Sequence, residues 1–359
     1  MQIHNFQLSY CSNIHPGETW DATFENLKIY IPEVKNRLKH KGPFGIGLRL
    51  SHEASLILER PERMQEFQEW LKKTNAYVFT LNCFPYGGFH RTKVKENVHT
   101  PDWTTAERKE YTIRSFRILA QLLPEGMEGG ISTSPLSYRH WFSSEKKKNE
   151  AIDKSTDHLI EVVEELVKIH QETGKLLHLD IEPEPDGILE NSDELISYFQ
   201  NWLLPKGKVA LAEKLGVSTD EAEKLIKTHI QACYDVCHFA IVYENPADTF
   251  QKFRYQGGIG AGLFGHGHVA EQLLGKAHAL FRAFLHLLLG QFGDTRFHGM
   301  GAMGQAAVVG DLDVQAGAGV EFENQRALVY VQHHVDTDIA QATQLVATGG
   351  QLHKAVPVG

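Results

Sequence analysis

The sequence predicts an α/β protein of the TIM (β/α)8-type, and three observations carry that prediction. Six strand-like segments alternate with amphipathic helical segments over the first 256 residues, which is the pattern of a parallel sheet built from βα units. In four of those segments polar residues recur at every second position. The clearest is 176–183, reading LLHLDIEP, where His178, Asp180 and Glu182 share one face and Leu177, Leu179 and Ile181 share the other. An apolar outer face under helices and an ionisable inner face suit a closed barrel. Finally, the glycine fingerprint of a dinucleotide-binding open sheet is absent after the first strand, so no nucleotide cofactor is expected.

The elements follow in order. Strands are predicted over 2–11, 44–51, 77–84, 128–134, 176–183 and 230–240. Gln7, Ser9, Cys11 and Asn13 alternate in the first, Gly45, Gly47, Arg49 and Ser51 in the second, and Cys233, Asp235 and Cys237 in the last. Helices are predicted between them. The segment 19–38 is the first, and 61–73 opens with Pro61, which is well placed at a helix start. The segment 104–123 begins TTAE, a capping box. The segment 148–173 stops at Gly174, and 192–216 with 218–228 makes a two-part connection. The segment 242–256 follows the sixth strand. The basic run 145–149 reads as a solvated loop.

Beyond residue 257 the character changes, and the last two βα units have no clear pattern. Eighteen of the 31 glycines lie in 257–359. This stretch reads in three ways: a divergent closure of the barrel, a tail, or sequence not native to the domain, such as a shifted reading frame. The chain therefore divides into 1–256, six βα units, and 257–359, an atypical Gly-rich segment. Within the latter, GAGLFGHGH at 260–268 is a weak phosphate-loop or metal-loop pattern.

Composition sets outer limits. A net charge of −9 argues against a general nucleic-acid binder, because phosphate affinity needs clustered Lys and Arg. Four cysteines make no zinc-finger spacing. Cys233 and Cys237 would stand roughly 13 Å apart on a strand, too far to pair. No signal peptide is expected at the N-terminus, and no apolar run reaches the length of a membrane span. A cytoplasmic protein with a small-molecule metabolite as its partner is the expectation.

Barrel active sites sit at the C-terminal ends of the strands. Glu182, Asp235 and His238 fall there, and two carboxylates with one imidazole suit Mn²⁺, Mg²⁺ or Zn²⁺. Asp235 and His238 have opposite strand parity, so they converge only if the chain turns near Asp235. His15 and Glu184 are candidates to move protons. Glu18 is equally explained by a helix start. Arg49 faces inward and can orient a substrate or pair internally with Glu182 or Asp180. Asn13, Asn82, Phe84, Tyr86 and His90 are candidate substrate-binding residues, and Trp20 and Phe89 add aromatic walls.

Taken together, LSYCSNIHPGETW (8–20), GIGLRLS (45–51), LNCFPYGGFH (81–90), HLDIEPEPDG (178–187) and YDVCHF (234–239) resemble the EboE-type metabolite traffic protein family of the xylose-isomerase-like TIM barrels. The resemblance covers residues 1–256. It implies a barrel encoded in a small operon that moves or matures a secondary metabolite, with operon-encoded protein partners. It also implies metal ligation by Glu182, Asp235 and His238. The further acidic ligand that the superfamily draws from its last strands has only Asp336 or Asp338 as formal candidates here. Two functions follow: a metal-assisted isomerase or epimerase of a sugar-like substrate, or a non-catalytic handler of a small metabolite.

Overall fold

The computed structural model describes residues 2–3, 6–7, 9–88, 95–255 and 327–328. Strands β1 (Gln2–Ile3) and β2 (Phe6–Gln7) form a short antiparallel hairpin. Strand β3 (Tyr10–Cys11) then opens the βα series. Thr19 caps α1 (Trp20–Arg37), its side chain accepting from Ala22 N–H. Strand β4 (Phe44–Arg49) leads to α2 (His52–Leu58), capped by Ser51, and α3 (Pro61–Thr74) begins on Pro61. Helix α2 has no counterpart in the predicted elements. Seven residues are too few for the helical period to stand out.

Next come β5 (Ala76–Asn82), α4 (Ala106–Leu122), β6 (Gly129–Thr133) and the long α5 (Glu145–Thr173). The basic run at 145–149 is thus the first turn of α5 and not a loop. Ser144 accepts from Lys147 N–H, and this cap together with the Lys148–Glu145 ion pair at 2.9 Å offsets the repulsion among the three lysines. Gly174 ends α5 at φ 71°, a conformation that costs other residues strain. Strand β7 (Leu177–Ile181) is followed by α6 (Ser192–Tyr198), a π-helical turn at Phe199–Leu203, α7 (Leu204–Leu215) and α8 (Thr219–His229). Strand β8 (Ile230–Ala232), α9 (Val236–Ile241) and α10 (Pro246–Tyr255) complete the series.

Six strands form one parallel sheet in the order β3-β4-β5-β6-β7-β8. The order never reverses. Because βα crossovers are right-handed, an unreversed order puts every helix on one face. The register then sorts residues into rows. Leu48, Leu81, Ile131, Leu179 and Ile230 align across five strands, as do Arg49, Asn82, Ser132, Asp180 and Gln231 one residue further on. The first row is fully buried in the core beneath the helices. The second is the polar face anticipated from the alternation, and it is largely buried as well: Arg49, Ser132 and Asp180 are each at most 3% exposed. Buried polar rows need internal partners, and His178 meets Asp180 at 2.6 Å. Gly47 leaves room on this face, since a Cβ there would stand 2.9 Å from Ser9 Oγ.

The predicted residues 257–359 lie outside the described residues except for β9 (Ala327–Leu328), which pairs in parallel with β2. Among the described residues no helix is long and apolar enough to cross a membrane.

His229, the last residue of α8, is 1% exposed, and its Nδ1 donates to Leu177 O at 2.7 Å. Burial pushes this imidazole down to about 4, against the carbonyl that favours its charged form. The unfolded chain takes up that proton near its ordinary value of 6.5 while the folded chain does not. Stability is therefore lost as pH falls from about 6.5 towards 4, by up to about 3 kcal/mol. His229→Asn is expected to flatten this loss in urea unfolding at pH 7.5, 5.5 and 4.5. An unchanged pH dependence would clear His229 of the effect.

Candidate metal centre

Glu182 stands one residue past β7, and its backbone N–H still bonds Thr133 O at 3.0 Å, so strand pairing fixes its Cα. Cys233 does the same one residue past β8, donating to Ile181 O at 2.8 Å. The strand predicted to run to residue 240 in fact ends at Ala232, and Cys237 belongs to α9. That early end resolves the parity conflict. Asp235 precedes α9, its Oδ1 accepts from His238 N–H at 3.4 Å, and its carbonyl accepts from Phe239 N–H at 3.1 Å. A residue at a helix cap and one three positions later lie side by side, so D-x-x-H converges at a helix start where it would diverge on a strand.

Glu182, Asp235 and His238 each present a ligand atom within 4.8 Å of the others. Glu182 is 0% exposed and the other two 7%. His238 Nδ1 is 3.5 Å from Glu182 Oε1, too long for a strong hydrogen bond. Neither Glu182 oxygen has a well-formed hydrogen bond. Burial, then the Asp235 and Glu184 carboxylates, raise the Glu182 carboxyl well above its usual range, against the adjacent Cys233 thiol. Burial likewise raises the Cys233 thiol. A buried carboxylate facing a second one, with no strong donor, is costly in isolation. A cation removes that cost, so the donor set fits a divalent ion with oxygen and nitrogen ligands.

The other expected site residues are distributed differently. Glu184 is close enough to Glu182 to act on its charge, and its Oε1 meets His99 Nε2 at 2.9 Å. His99 closes a single turn at Lys95–His99 in the loop after β5 and is 2% exposed. His99 was not foreseen from the sequence, because a histidine in a loop has no periodicity to mark it. Phe84 is buried against His99, ring centroids 5.7 Å apart. Asn82 turns the chain after β5 by accepting from Phe84 N–H at 3.2 Å. Asn13 is buried on the Ser12–Ile14 turn.

His15 bonds Tyr10 Oη at 2.8 Å and stacks on Tyr30 of α1 at 3.9 Å, so its ring is directed to α1. Arg49 forms its ion pair with Glu18, at 2.9 Å, and donates to the carbonyls of Gly17 and Gly87 at 3.0 and 2.7 Å. It thus ties the loop after β3 to the loop after β5. Tyr86 stacks on His52 at 4.4 Å. Trp20 is a core residue, 0% exposed and packed on Phe24 and Phe67, which corrects its place in an aromatic wall. Its position on the inner side of an amphipathic helix explains the burial. His90, Phe89, GAGLFGHGH, Asp336 and Asp338 lie outside the described residues.

The fold and site define an unreversed parallel α/β protein with a buried Glu–Asp–His cluster at the C-terminal strand ends. No family model and no curated protein matches the chain.

Proposed function

We propose that the chain is a xylose-isomerase-like (β/α)8 barrel of the EboE type that uses a divalent cation to isomerise or epimerise a sugar-like intermediate of a secondary metabolite. The unreversed strand order with polar inner rows supports the barrel, because such a sheet buries its inner face by curving on itself. The observation that carries the metal reading is the buried Glu182 carboxylate, without a well-formed hydrogen bond, facing Asp235 and His238.

Glu182, Asp235 and His238 would hold the ion. When bound, a divalent ion supplies the Lewis acidity that polarises a carbonyl and its neighbouring hydroxyl. Glu184 takes and returns a proton at the carbon beside that carbonyl, a role suited to a carboxylate two residues from the ligand set. Cys233 and the apolar row beneath keep bulk water from the Glu182 side. The metabolite-handling alternative draws no comparable support, because Trp20 of its aromatic cradle is in the core.

Metal analysis of the full chain tests the reading. About one ion per chain is expected after Mn²⁺ or Zn²⁺ is supplied, with affinity falling at least about tenfold in Asp235→Asn. A wild-type chain that takes up no divalent ion would end it.

A further inference from the structure

The first residue of α2 is held by both the loop after β5 and α4. His52 N–H donates to Tyr86 O at 2.8 Å, which fastens α2 to that loop. Its ring stacks on the Tyr86 ring at 4.4 Å with an interplanar angle of 14°, and Tyr111 of α4 meets it edge-on at 6.0 Å. Arg114, also on α4, completes the arrangement. Its Nη2 is 2.8 Å from His52 Nδ1, and its Nε donates to Ser55 Oγ at 2.9 Å. Ser55 Oγ donates in turn to His52 O at 2.6 Å. The same loop gives the Gly87 carbonyl to Arg49 at 2.7 Å, so its position also decides how Arg49 is satisfied.

A guanidinium has only donors, so His52 Nδ1 accepts and the proton of the neutral ring sits on Nε2. Adding a proton at Nδ1 removes that acceptor and sets two cations 2.8 Å apart. An imidazolium on the Tyr86 face gains some cation–π attraction. The Arg108 guanidinium is already 5.7 Å from that ring, however, and a like charge at hydrogen-bond distance is the larger effect. The start of a helix disfavours positive charge as well. Burial, then the Arg114 charge, hold the imidazole below its usual range, and no carboxylate offsets them. The acidic groups of α4 that act on Tyr86, Glu107 and Glu110, do so more weakly than Arg114 and Arg108. Glu53, beside His52 on α2, is exposed, and the His52 ring is half-buried, within reach of a proton from water.

We propose that His52, Arg114 and Tyr86 form a pH-operated clasp on the loop after β5. With His52 neutral, the loop is held against α2 and α4. A proton on Nδ1 displaces Arg114 and frees the loop, and with it the Gly87 carbonyl that serves Arg49. An open loop leaves His52 to titrate near the ordinary 6.5, while the closed loop binds the proton only at lower pH. Protons therefore favour the open form: the clasp is closed above that range and opens as pH falls below it.

Hydrogen exchange of the full chain at several pH values from about 7.5 to about 4.5, corrected for the chemical exchange rate, tests this. Protection of the His52 amide and of residues 83–88 is expected to fall at least about tenfold over that range, and clearly more than protection in α5. The comparison with α5 separates local release from the global loss assigned to His229. His52→Asn carries no titrating ring and should show no such extra fall. Arg114→Gln removes the repelling charge, so the transition should move up towards 6.5. Nuclear magnetic resonance of the His52 ring in the wild type needs no variant and should give a midpoint below 6.5. A midpoint at or above that value, a fall no larger than that of α5, or the same extra fall in His52→Asn overturns the clasp.

Discussion

Glu182→Gln is expected to abolish stoichiometric metal binding and, at the same time, to stabilise the metal-free protein. The two effects share one cause. The Glu182 carboxyl is fully buried, lacks a well-formed hydrogen bond and is raised well above its usual range, first by burial and then by Asp235 and Glu184. In the metal-free chain the folded state therefore binds a proton that the unfolded state releases. Stability falls as pH rises from the ordinary carboxylate range towards the elevated folded value. An amide of nearly the same shape has no such dependence. At pH 8 with a chelator present, the variant should be more stable than the wild type by about 1–3 kcal/mol.

With Mn²⁺ at a hundredfold excess over its dissociation constant, the wild type should gain about 2.7 kcal/mol and the variant nothing. The order of stability then narrows or reverses. Thermal or urea unfolding of both proteins, with chelator and with metal, reads all four values. If added metal shifts both proteins equally, Glu182 is not a ligand. Ordinary buried polarity predicts no metal dependence at all, so the comparison separates the two explanations.

Arg108→Met is expected to cost about 3–5 kcal/mol, as large an effect as any single substitution in the fold. Arg108 is on α4, 0% exposed, and its guanidinium serves the carbonyls of Pro101, Cys83 and Phe84 at 2.8, 2.9 and 3.0 Å. The Tyr86 and Tyr111 rings lie 5.7 and 5.9 Å from it, where their faces favour a cation. Methionine keeps much of the volume but takes this donor from the buried Cys83 and Phe84 carbonyls and from the part-buried Pro101 carbonyl. Arg108→Lys should lose less than methionine and still be clearly destabilised, because one ammonium cannot reproduce the planar fork. A fall of under about 1 kcal/mol in urea unfolding would mean that water or backbone movement replaces the guanidinium. The same loop carries Phe84 and, further on, His99. Loosening it is therefore expected to disturb the pairing of His99 with Glu184.

The candidate site was partly legible. Glu182 could be placed because alternation along 176–183 has a period of two, and burial on both sheet faces preserved it. Asp235 and His238 were legible as residues but not as geometry. Only the end of β8 at Ala232 and the cap at Asp235 made them neighbours. His15 was legible as a polar residue in the loop after the first strand, but not the fact that its imidazole stacks on Tyr30. Trp20 misled for a similar reason: being near a loop in sequence does not keep a side chain out of the core when its helix turns it inward.

By itself the sequence determined the alternation of strands and helices, the polar face of the sheet, the Pro61 start of α3, the Gly174 stop of α5 and the Glu–Asp–His set. Those properties are local, set by side-chain period and by hydrogen bonds spanning three or four residues. Tertiary structure alone decided that Arg49 joins Glu18, that Arg108 serves the carbonyls of Cys83 and Phe84 and that His99 reaches Glu184. Each of these contacts links residues 24 or more positions apart, and at such separations no repeat in the chain records which partner burial will supply.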